Sequence, residues 1–128
     1  MINLLDLLSR LLISIIFLYS GISKVFQYQG TVQWMESFGI SGIFLTPTII
    51  CEIIFPILII IGYRVRLSAS VLAIFCISTA FIFHSDFNNQ VQLIAFFKNL
   101  ALSGGLFFLA INGPKNFILF KKKKYVQL

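Results

Sequence analysis

The sequence predicts an all-α protein, a bundle of four transmembrane helices, on the strength of three observations. Of its 128 residues, 59% are hydrophobic and 11% are charged, whereas soluble domains have about 25% charged residues and less than half apolar ones. With flanking residues, each apolar run reaches the roughly 17–25 residues that span a bilayer. None of the runs alternates apolar with polar residues, as membrane β-strands do. The runs are Leu11–Phe26, Thr48–Gly62, Leu67–Phe83 and Val91–Ile111.

Local signals refine the predicted ends of these helices. Gly30 and Gly39 interrupt the first connection, which has room for a short interfacial helix carrying Trp34. Thr46-Pro47 is typical of a helix start, and Asn112-Gly113-Pro114 is a stop signal. Residues 1–128 are therefore predicted to form one integral membrane domain, with a basic tail at 115–128. The predicted helices cover residues 4–26, 47–62, 67–84 and 91–111.

The basic residues predict the orientation in the membrane. Short loops rich in lysine and arginine stay in the cytoplasm. Four spans put most of the basic residues on one side, with Lys24 alone in the opposite loops. Both termini are therefore predicted to be cytoplasmic, and the other side is called the outer side below. The residues on the predicted inner side are Arg10, Arg64, Arg66, Lys115 and Lys121–Lys124.

Two other interpretations, nucleic-acid binding by the lysine tail and a cleaved signal peptide at the start of the chain, fit the sequence less well. The lysine tail lacks a surrounding basic domain, so contact with anionic lipid head groups is favoured over nucleic-acid binding. A cleaved signal peptide ending near Ser20–Ser23 is disfavoured, because the segment before the apolar run holds Asp6 and only one arginine.

Small residues indicate where helices approach each other, since packing rather than hydrophobicity drives helix association in lipid. The first helix has Ser14 and Gly21 at a seven-residue spacing, and the third has Ala69, Ala73 and Ala80 near one face. The fourth has the run Ala101–Gly105, in which Ser103 is expected to bond a neighbouring helix together with Asn99.

Ionisable residues inside the apolar runs predict a polar pocket in the outer half of the bundle. Glu52 is expected roughly 7–8 Å into the second helix and Lys98 roughly 10 Å into the fourth. The formal charges of Lys24, Glu52, Asp86 and Lys98 cancel, as a shared dehydrated pocket requires. The candidate pocket residues are Lys24, Glu52, His84, Asp86, Lys98 and Asn99.

Lys98 and Glu52 are predicted to form an ion pair, because they have similar depth and opposite charge. One interpretation is that this pair only fixes helix register. The other is that the pocket binds a small molecule, because ionisable groups within a membrane usually mark function. Taken singly, Lys24 fits a lysine snorkelling to the interface and His84 fits a helix-end cap.

Metal and thiol chemistry have little support in the sequence. There is one histidine, with no HExxH or CxxC pattern and no glycine-rich phosphate loop, so no metal site is predicted. The two cysteines, Cys51 and Cys76, differ in expected depth by roughly 6 Å. They are therefore predicted to be free thiols.

Several segments, in order along the chain, resemble the DoxX family of bacterial inner-membrane proteins. Arg10–Val25, RLLISIIFLYSGISKV, has an arginine, an apolar run and then S-G-x-x-K. The other segments that carry the resemblance are Glu52, the G-x-R-x-R-L turn at Gly62–Leu67, His84-x-Asp86-Phe87, and FFKNLALSGGL at Phe96–Leu106.

The resemblance implies a multi-pass protein of the bacterial inner membrane. Some members are associated with redox work, as a thiosulfate–quinone oxidoreductase subunit or as partners of oxidative-stress enzymes. It therefore implies a redox-associated subunit, with a quinone as candidate cofactor and another membrane or redox protein as candidate partner. A related branch uses paired cysteines, a motif that this chain lacks. The alternative function is a non-catalytic scaffold or small-molecule carrier whose intramembrane charges are structural.

Overall fold

The computed structural model describes residues 2–115 and confirms the predicted fold class. Within that range it contains helices and no strand, and four segments are long and apolar enough to cross a membrane. The helices are α1 (Ile2–Phe26), α2 (Tyr28–Ser37), α3 (Leu45–Ile61), α4 (Val65–Phe83) and α5 (Gln90–Asn112), with a 3-10 turn at Gly42–Phe44. The basic tail beyond residue 115 lies outside the described residues.

The membrane-spanning helices form a ring in the order α1, α3, α4, α5. α1 packs along α3, α3 along α4, and α4 along α5, while α5 touches α1 only slightly. α5 therefore sits diagonally opposite α3. With four membrane-spanning helices, the start of α1 and the end of α5 lie on the same side of the membrane. That this side is cytoplasmic remains a prediction.

The core lies where α4 meets its neighbours, and it depends on small residues. Ala69, Ala73 and Ala80 are all fully buried on one face of α4, as their spacing predicts. Ser103 Oγ of α5 lies 3.2 Å from Ala73 O and 2.9 Å from Asn99 O, the carbonyl one turn earlier. The serine hydroxyl thus links α5 to α4, which confirms the interhelical bond expected for Ser103.

The start of α3 differs from the prediction. The helix begins at Leu45 rather than at Pro47, because the 3-10 turn at Gly42–Phe44 runs directly into it. Ser41 caps that turn by accepting a hydrogen bond from the Ile43 backbone N–H. The Thr46 hydroxyl, expected to cap α3, instead forms a 2.9 Å hydrogen bond with the Tyr28 hydroxyl of α2.

Turn chemistry sets the remaining helix ends. α3 ends at Ile61, and Gly62 caps it with a φ of 82°, a left-handed conformation that glycine adopts without steric strain. Asn89 caps α5, its side-chain oxygen accepting hydrogen bonds from the N–H groups of Val91 and Gln92. α5 ends at Asn112, directly before Gly113-Pro114, as the stop signal predicts.

Candidate functional site

Three residues of the S-G-x-x-K segment hold α1 against Glu52 of α3. Lys24 Nζ lies 2.9 Å from Glu52 Oε2 and 3.2 Å from Oε1. Ser20, one turn earlier on α1, donates a hydrogen bond to Glu52 Oε1 at 3.1 Å and accepts one from Lys24 Nζ. Gly21 lets the two helices approach here, because a Cβ added to it would lie 3.2 Å from Glu52 Cβ. We call Ser20, Lys24 and Glu52 the clasp.

The clasp corrects the predicted ion pair between Lys98 and Glu52. Glu52 bonds Lys24, and Lys98 makes no ion pair or hydrogen bond with any residue between positions 2 and 115. The prediction compared depth alone. Depth gives height along the bundle but not which helices are neighbours, and α5 lies across the ring from α3.

The close approach of α1 and α3 at Gly21 leads to a prediction about stability, for which Gly104 serves as the control position. A Cβ at Gly21 would lie 2.9 Å from Ile53 Cγ1 as well as close to Glu52, whereas one at Gly104 meets no heavy atom within 4 Å. We expect Gly21→Ala to destabilise the protein by about 1–3 kcal/mol, as overpacking does. Gly104→Ala should not destabilise the protein, because alanine inside a helix is favoured over glycine by about 0.5–1 kcal/mol. Thermal unfolding in detergent measures both, and equal effects would contradict this view of the α1–α3 contact.

A cavity of about 230 Å³ opens beside the clasp in the outer half of the bundle, and we call it the outer cavity. Its walls come from all five helices. The predicted pocket residues Lys24, Glu52, His84, Lys98 and Asn99 line it, and Asp86 does not. The apolar part of the wall comprises Ile16, Phe17, Met35, Leu45, Phe75, Phe83 and Leu102.

Asp86 belongs to the exposed connection between α4 and α5. Its side chain accepts a hydrogen bond from the Asn88 N–H at 3.3 Å, and its carbonyl accepts one from the Asn89 N–H. These are turn contacts. The predicted charge balance therefore does not hold in the cavity wall, where Lys24, Lys98 and Glu52 leave one surplus positive charge.

His84 and Trp34 also line the outer cavity. His84 is the residue after the last turn of α4, and its Nδ1 forms a 2.9 Å hydrogen bond with Gln92 Oε1 of α5. Trp34 of α2 stacks on Phe83 with ring centroids 4.5 Å apart. The predicted short helix in the first connection is thus present as α2, and Thr31, Trp34 and Met35 of this helix line the cavity.

The two cysteines are free, as predicted. Cys76 is buried and lines the outer cavity, whereas Cys51 is half-buried on α3 and is not part of that wall. Between residues 2 and 115, no cluster of histidine, cysteine and carboxylate side chains is arranged to hold a metal ion.

Arg10 is a charged residue whose structural role the sequence did not indicate. Its side chain is fully buried, forms a 3.0 Å ion pair with Asp6, and donates hydrogen bonds of 2.9 Å to Ile59 O and Ile60 O. It thereby ties the inner end of α1 to the last carbonyls of α3. Asp6 lies four residues before Arg10, a spacing at which opposite charges meet on a helix. This spacing was the one sequence feature from which the ion pair could have been predicted.

The fold and the outer cavity define a class: a multi-pass membrane protein with a polar cavity in one half of a four-helix bundle. The chain matches the DoxX family model over residues 5–85. It is 41% identical over 108 residues to the inner membrane protein YqjF of Escherichia coli strain K12, covering 84% of this chain and 83% of YqjF. The chain therefore belongs to the DoxX family.

A second relative points the same way. The inner membrane protein YphA of Escherichia coli strain K12 is 32% identical over 115 residues, covering 84% of this chain and 82% of YphA. No solved structure matches the chain. With four helices of membrane-spanning length, these relatives make the chain a multi-pass protein of the bacterial inner membrane, embedded in the lipid bilayer.

Proposed function

We propose that the outer cavity binds a quinone or a similar small carbonyl compound, and that the chain acts as a redox-associated membrane subunit. The observation that carries this proposal is Lys98. Lys98 lines the cavity, is an exposed residue, and makes no hydrogen bond or ion pair within residues 2–115, while Lys24 and His84 each have a partner. Its ammonium group is therefore accessible to the oxygen of a ligand in the cavity.

Shape and wall chemistry support the same ligand class. Sites for drug-sized ligands measure roughly 300–1,000 Å³, so a cavity of about 230 Å³ suits a single substituted ring. Aromatic walls at Phe17, Phe75 and Phe83 offer stacking surfaces. A ring with carbonyl oxygens places apolar area on these walls and an acceptor at Lys98. On this proposal, a redox partner protein of the kind that the family resemblance implies supplies two electrons, and solvent supplies two protons, when the quinone is reduced to the hydroquinone.

Trp34 supplies a direct readout, because it is the sole tryptophan and lines the cavity. We expect duroquinone, a tetramethylated benzoquinone, to quench its fluorescence saturably, and durene, the same ring without oxygens, to bind more weakly. Lys98→Met should weaken duroquinone binding about tenfold to a hundredfold. That is the effect of losing a hydrogen bond to a charged group, worth about 1.5–3 kcal/mol.

Lys115→Met is the matched control, since it removes the same charged side chain at the opposite end of the bundle. It should leave the affinity for duroquinone unchanged. Equal affinities of wild type and Lys98→Met would contradict the proposal. Mass spectrometry of small molecules extracted from protein purified in mild detergent then identifies the natural occupant.

The clasp favours a second candidate function, a scaffold or carrier whose charges are structural. Ser20, Lys24 and Glu52 bond one another across the α1–α3 contact, as a purely structural pair would. A folded Lys98→Met variant that supports the phenotype lost in a deletion strain, together with no saturable quinone binding, would favour the scaffold.

A further inference from the structure

A groove of about 400 Å³ lies between residues 5–13 of α1 and residues 105–112 of α5, and we call it the inner groove. It occupies the half of the bundle opposite the outer cavity, where α5 touches α1 only slightly. The wall residues farthest from the helix ends are Ile13 and Gly105. A Cβ added to Gly105 would lie 3.3 Å from Ile13 Cδ1, so the two helices meet at this height.

The body of the inner groove is apolar and faces the bilayer. Leu5 is 52% exposed and Phe108 is 70% exposed, and both belong to its wall. Along α1 the wall extends from Leu5 to Ile13, about 12 Å at the α-helical rise. The hydrocarbon of one leaflet is about 15 Å thick, half of a bilayer's apolar core. The groove therefore matches a lipid acyl chain in polarity and in length.

The end of the inner groove near the chain termini carries a surplus positive charge. Asp6 and Arg10 cancel each other in their 3.0 Å ion pair, whereas Lys115 is exposed. The Lys115 backbone N–H donates to Asp6 Oδ1 at 3.1 Å, which holds this residue at the groove. Arg66 lies beside the same end, because a Cβ added to Gly113 of the wall would be 2.9 Å from Arg66 Nε.

We propose that the inner groove binds one anionic phospholipid from the leaflet on the side of the chain termini. One acyl chain lies between α1 and α5, and the head-group phosphate lies near Lys115 and Arg66. Basic pockets between membrane helices bind anionic head groups in this way. A second copy of the chain would bring the same surplus positive charge to the groove, and like charges repel. The proposal is independent of the ligand of the outer cavity.

Native mass spectrometry of the full chain with added phosphatidylglycerol or zwitterionic phosphatidylethanolamine, matched in acyl chains, tests the charge preference. We expect the wild-type protein to retain one phosphatidylglycerol more tightly than phosphatidylethanolamine. Lys115→Met should weaken phosphatidylglycerol binding about fivefold, the effect of one basic residue at a membrane surface. Arg64→Met is the matched control, because it removes an exposed positive charge that is not part of the groove wall.

Ser9→Phe tests the groove itself, because it fills the wall while keeping every charge of the chain. The matched control is Ser78→Phe, since both serines are exposed and donate to the carbonyl four residues earlier. Ser9→Phe should lose the tightly held phosphatidylglycerol, and Ser78→Phe should keep it.

Three results would overturn the proposal. The first is equal retention of the two lipids by the wild-type protein. The second is a phosphatidylglycerol affinity that neither Lys115→Met nor Ser9→Phe changes. The third is a wild-type dimer that Ser9→Phe dissociates, which would assign the inner groove to a second copy of the chain.

Discussion

Lys24→Met should destabilise the protein by about 3–5 kcal/mol, because it leaves the Glu52 carboxylate, whose side chain is 4% exposed, buried and unpaired. Glu52→Gln should cost less, because the side chain of Lys24 is 24% exposed and its ammonium group can reach solvent or head groups. The double variant removes both charges and should recover part of the loss. Thermal or denaturant unfolding in detergent of the two single variants and the double variant gives the coupling free energy.

Lys98→Met is the control for this double-mutant cycle of Lys24 and Glu52. Lys98 makes no ion pair or hydrogen bond in the described part of the chain, so its removal should change stability by less than about 0.5 kcal/mol. Strictly additive losses for Lys24 and Glu52 would show that the two side chains do not meet. A coupling between Lys98 and Glu52 larger than that between Lys24 and Glu52 would support the arrangement first predicted from depth.

Arg10→Met should also be among the most damaging single substitutions. It leaves Asp6 without its 3.0 Å ion-pair partner and removes the donor to Ile59 O and Ile60 O at the end of α3. We expect a loss of about 3–5 kcal/mol, as for one partner of a buried pair. Arg10→Lys should recover only part of it, because a lysine lacks the planar fork of donors that reaches several acceptors at once.

Arg64→Met is the matched control for Arg10, because it removes the same positive charge from the same predicted side of the membrane. Arg64 is exposed, and its Nε lies 3.4 Å from the hydroxyl of the neighbouring Tyr63. Its loss should change the melting temperature little. Equal losses for Arg10→Met and Arg64→Met would indicate that both act through membrane orientation rather than through burial.

The sequence was sufficient to predict the four spans because their length and composition satisfy the bilayer directly. Five of the six predicted pocket residues line the cavity, because Glu52, Lys98 and His84 had to lie in the same half of the bundle, but most of the cavity wall was not predicted. Asp86 was assigned to the pocket because it lies at the outer end of the third predicted helix and balances the formal charges, but its side chain accepts a hydrogen bond from the Asn88 N–H within the turn.

Which lysine pairs with Glu52 could not be predicted from the sequence, for a physical reason. Hydropathy and helical rise determine how deep a side chain lies, but they carry no information on the order of helices around the ring. Lys24 was interpreted as a snorkelling residue because it lies near a helix end. Its neighbours Ser20 and Gly21 held the missing signal: a hydroxyl one turn from the lysine, and a glycine that admits another helix.

The charged residues that line the cavity come from two different parts of the chain. Lys24 and Glu52 cancel each other, so α1–α4 alone enclose a neutral space, and α5 alone supplies the surplus charge through Lys98. α5 packs mainly on α4 and touches α1 only slightly. The net charge of the cavity therefore depends on a helix that takes little part in the α1–α3 contact held by the clasp.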